Sequence, residues 1–278
     1  MPTVREDIMT TGKDMKKMKQ LTAEETKRIQ CDLLQDIASY CEEKGLTFFL
    51  AYGTLIGAMR HNGFIPWDDD IDIAMPRPDY DEFVSTYNQR DSHCRVIDTS
   101  FDKDYGISFA KVYDDRTWLD EFKYRKDKYG VYIDVFPVEG VGGKVQVFLA
   151  RKLSRLMHAK KANFTDRGLL KNLSNCVLKL LMLPFSLHTM LRFADWNARR
   201  HPFGTTPKAS VLFETYGWRE VVDTSAFQGT VLHEFEGRQY PVPVGYDRWL
   251  RSIYGDYMQL PPKEHQVGHH EYNAYWKE

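Results

Sequence analysis

Three observations predict an α+β (mixed α/β) fold, in which helices pack on a mixed sheet. The chain has 278 residues, 42% of them hydrophobic and 28% charged, which is enough to bury a full core within one large domain. Apolar and polar residues alternate over residues 68–74 and 131–136, a spacing typical of strands. Elsewhere apolar residues recur with helical spacing, and from residue 145 this helical pattern becomes strongly basic. The basic segment predicts an inserted or appended helical subdomain.

Composition divides the chain into four segments. Residues 1–20 are polar and lysine-rich, so we expect them to be disordered. Residues 21–140 hold most of the predicted strands, residues 141–205 form the basic helical region, and residues 206–278 are expected to complete the same domain. The first residues lack the apolar stretch of a signal peptide, and the four cysteines show no CxxC pair or zinc-type spacing. These features favour a reducing, cytoplasmic setting in which the cysteines are buried structural residues.

The first predicted helix begins at a capping box. Thr22 and Glu25 have the T-x-x-E spacing of that motif, and Gly45 is a typical residue at which a helix ends. The apolar residues that share one face of this helix are Ile29, Leu33, Ile37, Tyr40 and Cys41. We expect this face to pack on the sheet in a purely structural role.

A glycine turn follows the buried strand predicted over residues 46–50. Gly53 and Thr54 stand where a short helix is predicted to begin, and glycine there lets a ligand approach the backbone. The N-terminus of a helix offers unpaired N–H groups and the positive end of the helix dipole, and both favour a phosphate. Gly63 and Pro66 are expected to end the helix. The turn therefore predicts a phosphate-binding site.

Acidic residues at alternate positions follow this helix, the first of them Asp68. Asp70 and Asp72 are interleaved with Ile71 and Ile73, so on a strand the two carboxylates share one face while the isoleucines enter the core. Two carboxylates so close together resist joint ionisation unless a cation neutralises them. Hard oxygen ligands of this kind suit Mg²⁺. The pattern predicts one or two Mg²⁺ ions at this point, with Mn²⁺ as an alternative.

Other structures also carry acidic runs. A solvated loop is the commonest, but the apolar alternation that leads into Ile73 argues against it. An EF-hand needs glycine and glutamate where this chain has Ile73 and Asp79, so that motif is excluded. A glycosyltransferase with a DxD metal site remains a competitor, since it also holds a nucleotide diphosphate through Mg²⁺. Such enzymes usually begin with several βα units, however, and one helix precedes the acids here.

Two further charged residues lie within predicted strands. Lys111 follows an apolar stretch, where a lysine is either a solvated edge residue or a ligand of phosphate. Asp134 lies inside the apolar strand over residues 131–136, and a lone buried carboxylate is costly unless it is paired, hydrogen-bonded or metal-bound. The pattern alone leaves two alternatives for Asp134, a partner lysine or arginine and a metal.

The net charge of -1 conceals a strong asymmetry along the chain. Residues 144–200 contain 12 Lys or Arg against 2 Asp. The apolar stripe expected on the first helix of this region consists of Val145, Phe148, Leu149, Leu153, Leu156 and Met157. A basic amphipathic helix suits an anionic membrane or a phosphate-rich polymer, and a charged outer face is the alternative. The segment around Pro184 carries too many polar and charged residues to cross a membrane.

The C-terminal part contains one more amphipathic helix and three histidines. The apolar stripe of this helix, which Gly255 is expected to end, consists of Tyr246, Trp249, Leu250, Ile253 and Tyr254. His265, His269 and His270 lie beyond it. Three histidines without a cysteine near a polar terminus are more often solvated or substrate-facing than bound to zinc.

The string GTLIGAMRHNGFIPWDDDIDIAM over residues 53–75 resembles the LicD family of phosphocholine and related phosphotransferases, to which the fukutin proteins are distantly similar. Its glycine turn followed by Asp70-Ile71-Asp72 also resembles the signature of the polymerase-β-like nucleotidyltransferase superfamily. The resemblance to LicD proteins runs from about residue 20 to about residue 270 and is strongest over residues 51–76 and 130–137. It implies a nucleotidyltransferase-type mixed sheet packed by helices, with residues 21–140 as the catalytic core.

The resemblance also assigns roles to residues. It implies that Asp70, Asp72 and Asp134 hold the metal, with Asp134 as the third carboxylate that a neighbouring strand supplies in this superfamily. Gly53 and Thr54 would bind the phosphates of the donor. Lys111 and Arg60 would add positive charge. His61 and Trp67 would shape the donor pocket, although packing explains Trp67 equally well.

The function implied by the resemblance is Mg²⁺-dependent transfer of phosphocholine from CDP-choline to a hydroxyl of a cell-surface glycan or a teichoic-acid-type, lipid-linked precursor, with release of CMP. Glycerol phosphate from CDP-glycerol and ribitol phosphate from CDP-ribitol are alternatives. A hypothesis of another class is a non-catalytic protein that binds an anionic polymer or membrane through residues 144–200, which would place it at the inner face of the membrane. A nucleic-acid partner is disfavoured, because the whole chain is not basic.

Overall fold

The computed structural model describes residues 18–102, 105–121, 129–161, 186–213, 216–268 and 272–277, and it confirms the predicted α+β class. The α-helices are α1 (Ala23–Lys44), α2 (Tyr52–His61), α3 (Arg77–Thr86), α4 (Lys144–Lys161), α5 (Leu187–Ala198) and α6 (Tyr246–Tyr254). The strands are β1 (Phe49–Leu50), β2 (Asp72–Pro76), β3 (Cys94–Ile97), β4 (Ala110–Asp114), β5 (Thr117–Glu121), β6 (Tyr132–Gly140), β7 (Lys208–Val211), β8 (Val222–Asp223), β9 (Thr230–Phe235), β10 (Arg238–Pro243) and β11 (Tyr272–Trp276). Residues 1–20 are expected to be disordered, and residues 1–17 of this segment lie outside the described residues.

Helix α1 begins and ends where the sequence predicts. The Glu25 N–H donates to the Thr22 hydroxyl at 3.1 Å, and the Thr22 N–H donates to the Glu25 carboxylate at 2.8 Å, which completes the capping box. Gly45 takes the left-handed conformation, with φ of 69°, that ends the helix. The predicted apolar face of α1 is buried against β4 and β6. Its role in the described structure is therefore packing.

The main sheet has seven strands and is mixed. Its order is β1-β2-β6-β4-β3, with β7 paired to the second half of β6 and β8 paired to β7. Within the described residues, β2 and β6 form a parallel pair and the other pairs are antiparallel. The long strand β6 lies at the centre of this sheet and is almost wholly buried. Residues of β6 are thereby aligned with β2 on one side and with β4 on the other.

Strand β5 does not join the main sheet. It pairs instead with β11 near the C-terminus. Strand β4 has β3 on one edge and β6 on the other, so it has no free edge on which β5 could pair. The N-terminal segment closes the small β5–β11 sheet, because the Leu21 N–H donates to the Ala274 carbonyl at 2.8 Å.

Helices α4 and α5 pack on each other and form a second apolar cluster. The predicted stripe of α4 is wrong at two positions, since Val145 is 69% exposed and Phe148 is 57% exposed. The buried face is instead shifted by one residue and includes Gln146 and Ser154. Both can be buried because their side chains donate to backbone carbonyls, that of Ser154 to the carbonyl of Phe213 at 3.2 Å. The rest of the predicted basic helices, residues 162–185 with Pro184, lies outside the described residues.

None of the helices among the described residues is long and apolar enough to cross a membrane. Helix α6 matches its prediction at Trp249, Leu250 and Ile253, which are buried, and Gly255 follows it with φ of 73°.

The cysteines within the described residues are free thiols. Cys41 and Cys94 are buried and Cys31 is half-buried, whereas Cys176 lies outside the description. Burial raises the pKa of Cys41 to about 12 and those of Cys31 and Cys94 to about 11. Thiols with such pKa values are protonated near neutral pH, as expected for structural cysteines.

Candidate active site

The glycine turn is part of helix α2 itself. Ala51 is extended and Tyr52 takes a left-handed φ of 45°, so the chain leaves β1 sharply and Gly53 and Thr54 fall within the first helical turn. The Thr54 hydroxyl accepts a hydrogen bond from the Asp72 N–H at 2.8 Å. The start of α2 is thereby fixed to the start of β2. At its other end α2 closes on Asn62, with φ of 55°, and not on Gly63 as predicted.

Gly53 allows a carboxylate to lie directly against this helix start. A Cβ atom added at Gly53 would stand 2.5 Å from the Asp68 carboxylate oxygen Oδ2, closer than real Cβ contacts. Asp68 itself is buried. The glycine that sequence analysis assigned to a ligand is thus needed first to accommodate Asp68, and its backbone also lines the cavity described below.

The acidic strand begins later than predicted. Regular pairing starts at Asp72, and residues 68–71 are irregular. The predicted alternation nevertheless holds, because Ile71 and Ile73 are fully buried while Asp70 and Asp72 face a cavity. Among the described residues, the cluster of carboxylates whose oxygens lie within 4.8 Å of one another consists of Asp68, Asp69 and Asp70.

The surroundings of Asp68 shift the pKa of its carboxyl. Burial raises the pKa of Asp68 above its ordinary value, and the neighbouring charge of Asp69 raises it further, while a hydrogen bond with Asp70 opposes the shift. Crowded carboxylates of this kind hold a proton or a cation between them.

Strand register brings three charged residues into one row. Asp72 of β2 is the parallel partner of Asp134 of β6, and Lys111 of β4 is the antiparallel partner of Asp134. The Lys111 ammonium donates to Asp134 Oδ1 at 2.5 Å and lies 3.3 Å from the centre of the Tyr132 ring. A lysine partner for Asp134, one of the two sequence alternatives, is therefore present, and the Asp134 carboxylate still faces the cavity.

The cavity has a volume of about 340 Å³. Its acidic lining consists of Asp68, Asp70, Asp72 and Asp134. Its aromatic lining consists of Tyr52, Trp67, Phe109, Phe136, Tyr216 and Tyr254, and Gly53, Ile56 and Ile65 complete it. Three of the four acids, Asp70, Asp72 and Asp134, are predicted from the sequence, whereas Asp68 is expected there only as part of the acidic run.

Most of the aromatic side chains around the cavity touch one another. The Tyr52 ring centre lies 5.2 Å from that of Phe136 and 6.0 Å from that of Tyr216, and Tyr216 lies 5.6 Å from Tyr254. The Tyr52 hydroxyl donates to the buried carboxylate of Glu220. No sequence pattern indicates this cluster, because its members come from distant segments. The spacing of Tyr254 fits the packing stripe of α6, although this residue is 36% exposed.

Arg60 and His61 lie at the far end of α2 and do not line the cavity. The Arg60 guanidinium donates to the Tyr257 carbonyl at 2.7 Å and to His61 Nε2 at 2.9 Å. Burial lowers the pKa values of both side chains. In this structure the two residues join α2 to the segment after α6. His265 belongs to an exposed turn, and His269 and His270 lie outside the described residues.

Carboxylates aligned on adjacent strands, beside a helix start and over a mixed α+β sheet, are the arrangement expected of an enzyme that transfers a phosphate-containing group. Comparison with known proteins agrees with this class. Residues 45–184 match the family model described as LicD/FKTN/FKRP, nucleotidyltransferase domain. The chain therefore belongs to the LicD family and is a phosphotransferase enzyme.

Two relatives show how far the similarity extends. A lipopolysaccharide cholinephosphotransferase LicD of Haemophilus influenzae is 33% identical over 269 residues, which cover 93% of this chain and 99% of the relative. An uncharacterised protein of Rickettsia prowazekii is 30% identical over 99 residues, 34% of this chain and 33% of the relative. The first similarity includes every segment that lines the cavity.

Proposed function

We propose that this protein transfers phosphocholine from a CDP-linked donor to a hydroxyl group of a cell-envelope glycan and releases CMP. One observation carries the proposal: a single cavity joins Asp72 and Asp134, aligned on adjacent strands, to six aromatic side chains. Carboxylates suit a metal-assisted reaction of a diphosphate, and aromatic faces suit a quaternary ammonium. The relative named for transfer of phosphocholine to lipopolysaccharide, similar along nearly the whole chain, supports the same reaction here.

The side chains around the cavity fit a divalent cation. Among the described residues that line it there are four aspartates and no lysine, arginine or histidine. Apart from the Lys111 ammonium bonded to Asp134, a diphosphate donor would meet negative charge there unless cations entered with it. We propose that Asp68, Asp70, Asp72 and Asp134 hold Mg²⁺, or Mn²⁺ in its place, so that the predicted set gains Asp68. A bound Mg²⁺ would neutralise the diphosphate and polarise the phosphoryl group.

The residues of the chain would act by holding the reactants in place. In the proposed reaction the acceptor oxygen forms a bond to the phosphorus of phosphocholine, the bond from that phosphorus to the CMP oxygen breaks, and CMP leaves with the bonding electrons. Asp134 would accept the proton of the hydroxyl. Lys111 orients this carboxylate, and Thr54 fixes the backbone of Asp72. Gly53 would let the donor phosphates approach the start of α2.

The alternative donors differ in what they need from the cavity. Glycerol phosphate and ribitol phosphate carry hydroxyl groups, each of which requires a hydrogen-bond partner once it is buried. The described lining offers tyrosine hydroxyls and carboxylates but no serine, threonine, asparagine or glutamine side chain. This composition favours choline, and CDP-glycerol and CDP-ribitol remain the donors to compare.

The experiment measures CMP release. The purified protein is incubated with Mg²⁺ and CDP-choline, CDP-glycerol or CDP-ribitol, with and without lipopolysaccharide-type or teichoic-acid-type acceptors. We expect CMP from CDP-choline that requires both acceptor and metal, and a loss of at least about 100-fold in Asp72→Asn with unchanged melting temperature. Release from a polyol donor alone would transfer the assignment to that donor. Absence of CMP with every donor and acceptor would overturn the proposal.

We also infer that the outer faces of α4 and α5 dock on an anionic membrane, which would hold the enzyme at the inner face beside a lipid-linked acceptor. The two helices expose aromatic side chains, Phe148 on α4 and the stacked pair Phe193 and Trp196 on α5, whose ring centres lie 5.2 Å apart. The exposed cations on the same helices are Lys144, Arg151, Lys152, Arg155 and Arg192. Exposed aromatics among cations are typical of helices that lie in a membrane interface.

Vesicle sedimentation tests this docking. We expect binding to vesicles that contain phosphatidylglycerol, weak binding to pure phosphatidylcholine, and release as salt is raised. Phe193→Ser with Trp196→Ser should abolish binding, whereas Leu232→Ser, at a position 65% exposed on β9, should not. Asp72→Asn should still bind vesicles while losing CMP release, which separates docking from catalysis. Equal binding by the double variant would overturn the inference.

A further inference from the structure

One part of the cavity is an aromatic surface that the proposed phosphate chemistry does not use. The Tyr52 and Tyr216 rings are stacked at an angle of 28°, and the Tyr216 and Tyr254 rings meet edge to face at 69°. The hydroxyls of Tyr216 and Tyr254 lie 3.2 Å apart, within hydrogen-bond distance of each other. Three tyrosines from α2, from the turn at residue 216 and from the end of α6 thus form one continuous surface.

A buried carboxylate stands behind this surface. Glu220 is fully buried and accepts the hydrogen bond of the Tyr52 hydroxyl. A phenol that donates to a carboxylate has a more electron-rich ring, which strengthens its attraction for a cation. Glu220 also follows Tyr216 by four residues, so one short segment supplies both a ring and the buried charge.

The surface adjoins the reacting carboxylates. Tyr52, Tyr216 and Tyr254 line the same cavity as Asp72. A head group bound against these rings and a phosphate held at Asp72 would therefore share one cavity, as the short two-carbon linker of phosphocholine requires.

A quaternary ammonium matches this environment better than the other head groups. It carries its charge on methyl groups, needs no hydrogen-bond acceptor, and binds to the faces of electron-rich rings. A primary ammonium needs three acceptors and a polyol needs partners for each hydroxyl, and rings cannot supply them. The nearby hydroxyls of Tyr216 and Tyr254 can form a hydrogen bond with each other.

We propose that Tyr52, Tyr216 and Tyr254 form the binding site for the trimethylammonium group of the donor and make the enzyme specific for choline. Glu220 is the positioning residue of this site, because it acts through the Tyr52 hydroxyl. The inference rests on the proposed function, which it deepens by naming the residues that select the transferred group.

Direct binding tests the site without relying on turnover. Titration calorimetry with phosphocholine and with phosphoethanolamine, in the presence of Mg²⁺, should show phosphocholine bound at least about tenfold more tightly. Tyr254→Leu and Tyr216→Leu should each remove most of this preference, whereas Tyr254→Phe, which keeps the ring, should retain it. Tyr246→Leu is the matched control, since Tyr246 lies on the same helix but does not line the cavity.

The outcomes separate the inference from the proposed function. A preference that survives in both leucine variants, or its absence in the wild-type protein, would overturn the inference even if CMP is released from CDP-choline. A preference that the leucine variants lose would support it even if no CMP is formed, in which case the transfer reaction would be the part that fails. Because Tyr254 is 36% exposed, Tyr254→Leu should fold, and CMP binding by each variant checks that the rest of the site is intact.

Discussion

At the scale of single residues, a substitution at Gly53 should lower activity without lowering stability. Replacing glycine by alanine inside a helix usually stabilises it by up to about 1 kcal/mol. In Gly53→Ala, however, the new methyl group would displace the Asp68 carboxylate, the end of a side chain that can move aside. We therefore expect a melting temperature equal to or above that of the wild-type protein and CMP release at least about tenfold lower, because a 1 Å displacement within a site is enough for such a loss.

Gly57 is the matched control on the same helix. A Cβ atom at Gly57 would meet the backbone carbonyl of Gly63, which cannot rotate away as a carboxylate can. Gly57→Ala should lower the free energy of unfolding by roughly 1–3 kcal/mol, as overpacking does. Equal loss of stability in the two variants would contradict the role assigned to Gly53.

The pair of Lys111 and Asp134 gives a second prediction at this scale. The side chains are only 5% and 13% exposed, so Lys111→Met leaves a largely buried carboxylate without its cation. Denaturant unfolding should show a loss of about 3–5 kcal/mol, and the double variant with Asp134→Asn should recover much of it. Arg251→Met is the control, because its pair with Asp247 is about half exposed and screened by solvent, so its loss should change stability far less. Additive losses in the double variant would contradict the pairing.

At the scale of elements, Thr54 ties the start of α2 to the start of β2. Thr54→Val leaves the Asp72 N–H without its acceptor, which should lower the free energy of unfolding by about 1–3 kcal/mol and reduce kcat, while Thr54→Ser keeps the bond. Chemical denaturation and donor titrations measure both effects. A higher KM for the donor at unchanged stability would instead indicate direct phosphate binding, the role expected from the sequence.

The helices and strands also show which features local sequence patterns can predict. The capping box of α1 and the alternation around Asp72 depend on neighbouring residues, and both are confirmed. The stripe of α4 failed at Phe148 because burial depends on which side of a helix another helix covers, and hydrogen bonds let Gln146 occupy the covered side. A hydrophobic pattern cannot indicate either condition.

At the scale of the whole molecule, the acidic and the aromatic residues of the cavity differ in how well the sequence predicts them. Asp70 and Asp72 are two residues apart in a recognisable motif, and Asp134 is an unusual carboxylate in an apolar strand. Tyr216 and Tyr254 carry no such signal, since tyrosines at these positions have the same spacing as core residues. Only the meeting of α2, the turn at residue 216 and α6 brings them together.

Strand β11, near the C-terminus, is held by β5 and by the N-terminal segment. Strand β11 pairs with β5 along its length, and its Trp276 N–H donates to the Lys19 carbonyl at 3.0 Å. Removing residues 269–278 would leave the edge of β5 unpaired and expose Leu119, which is buried beside it. We expect a lower melting temperature, by about 2–4 °C for each kcal/mol lost. Below the new melting temperature CMP release should persist, because neither β5 nor β11 lines the cavity. Loss of release by a folded truncated protein would show that this small sheet holds the active site in shape.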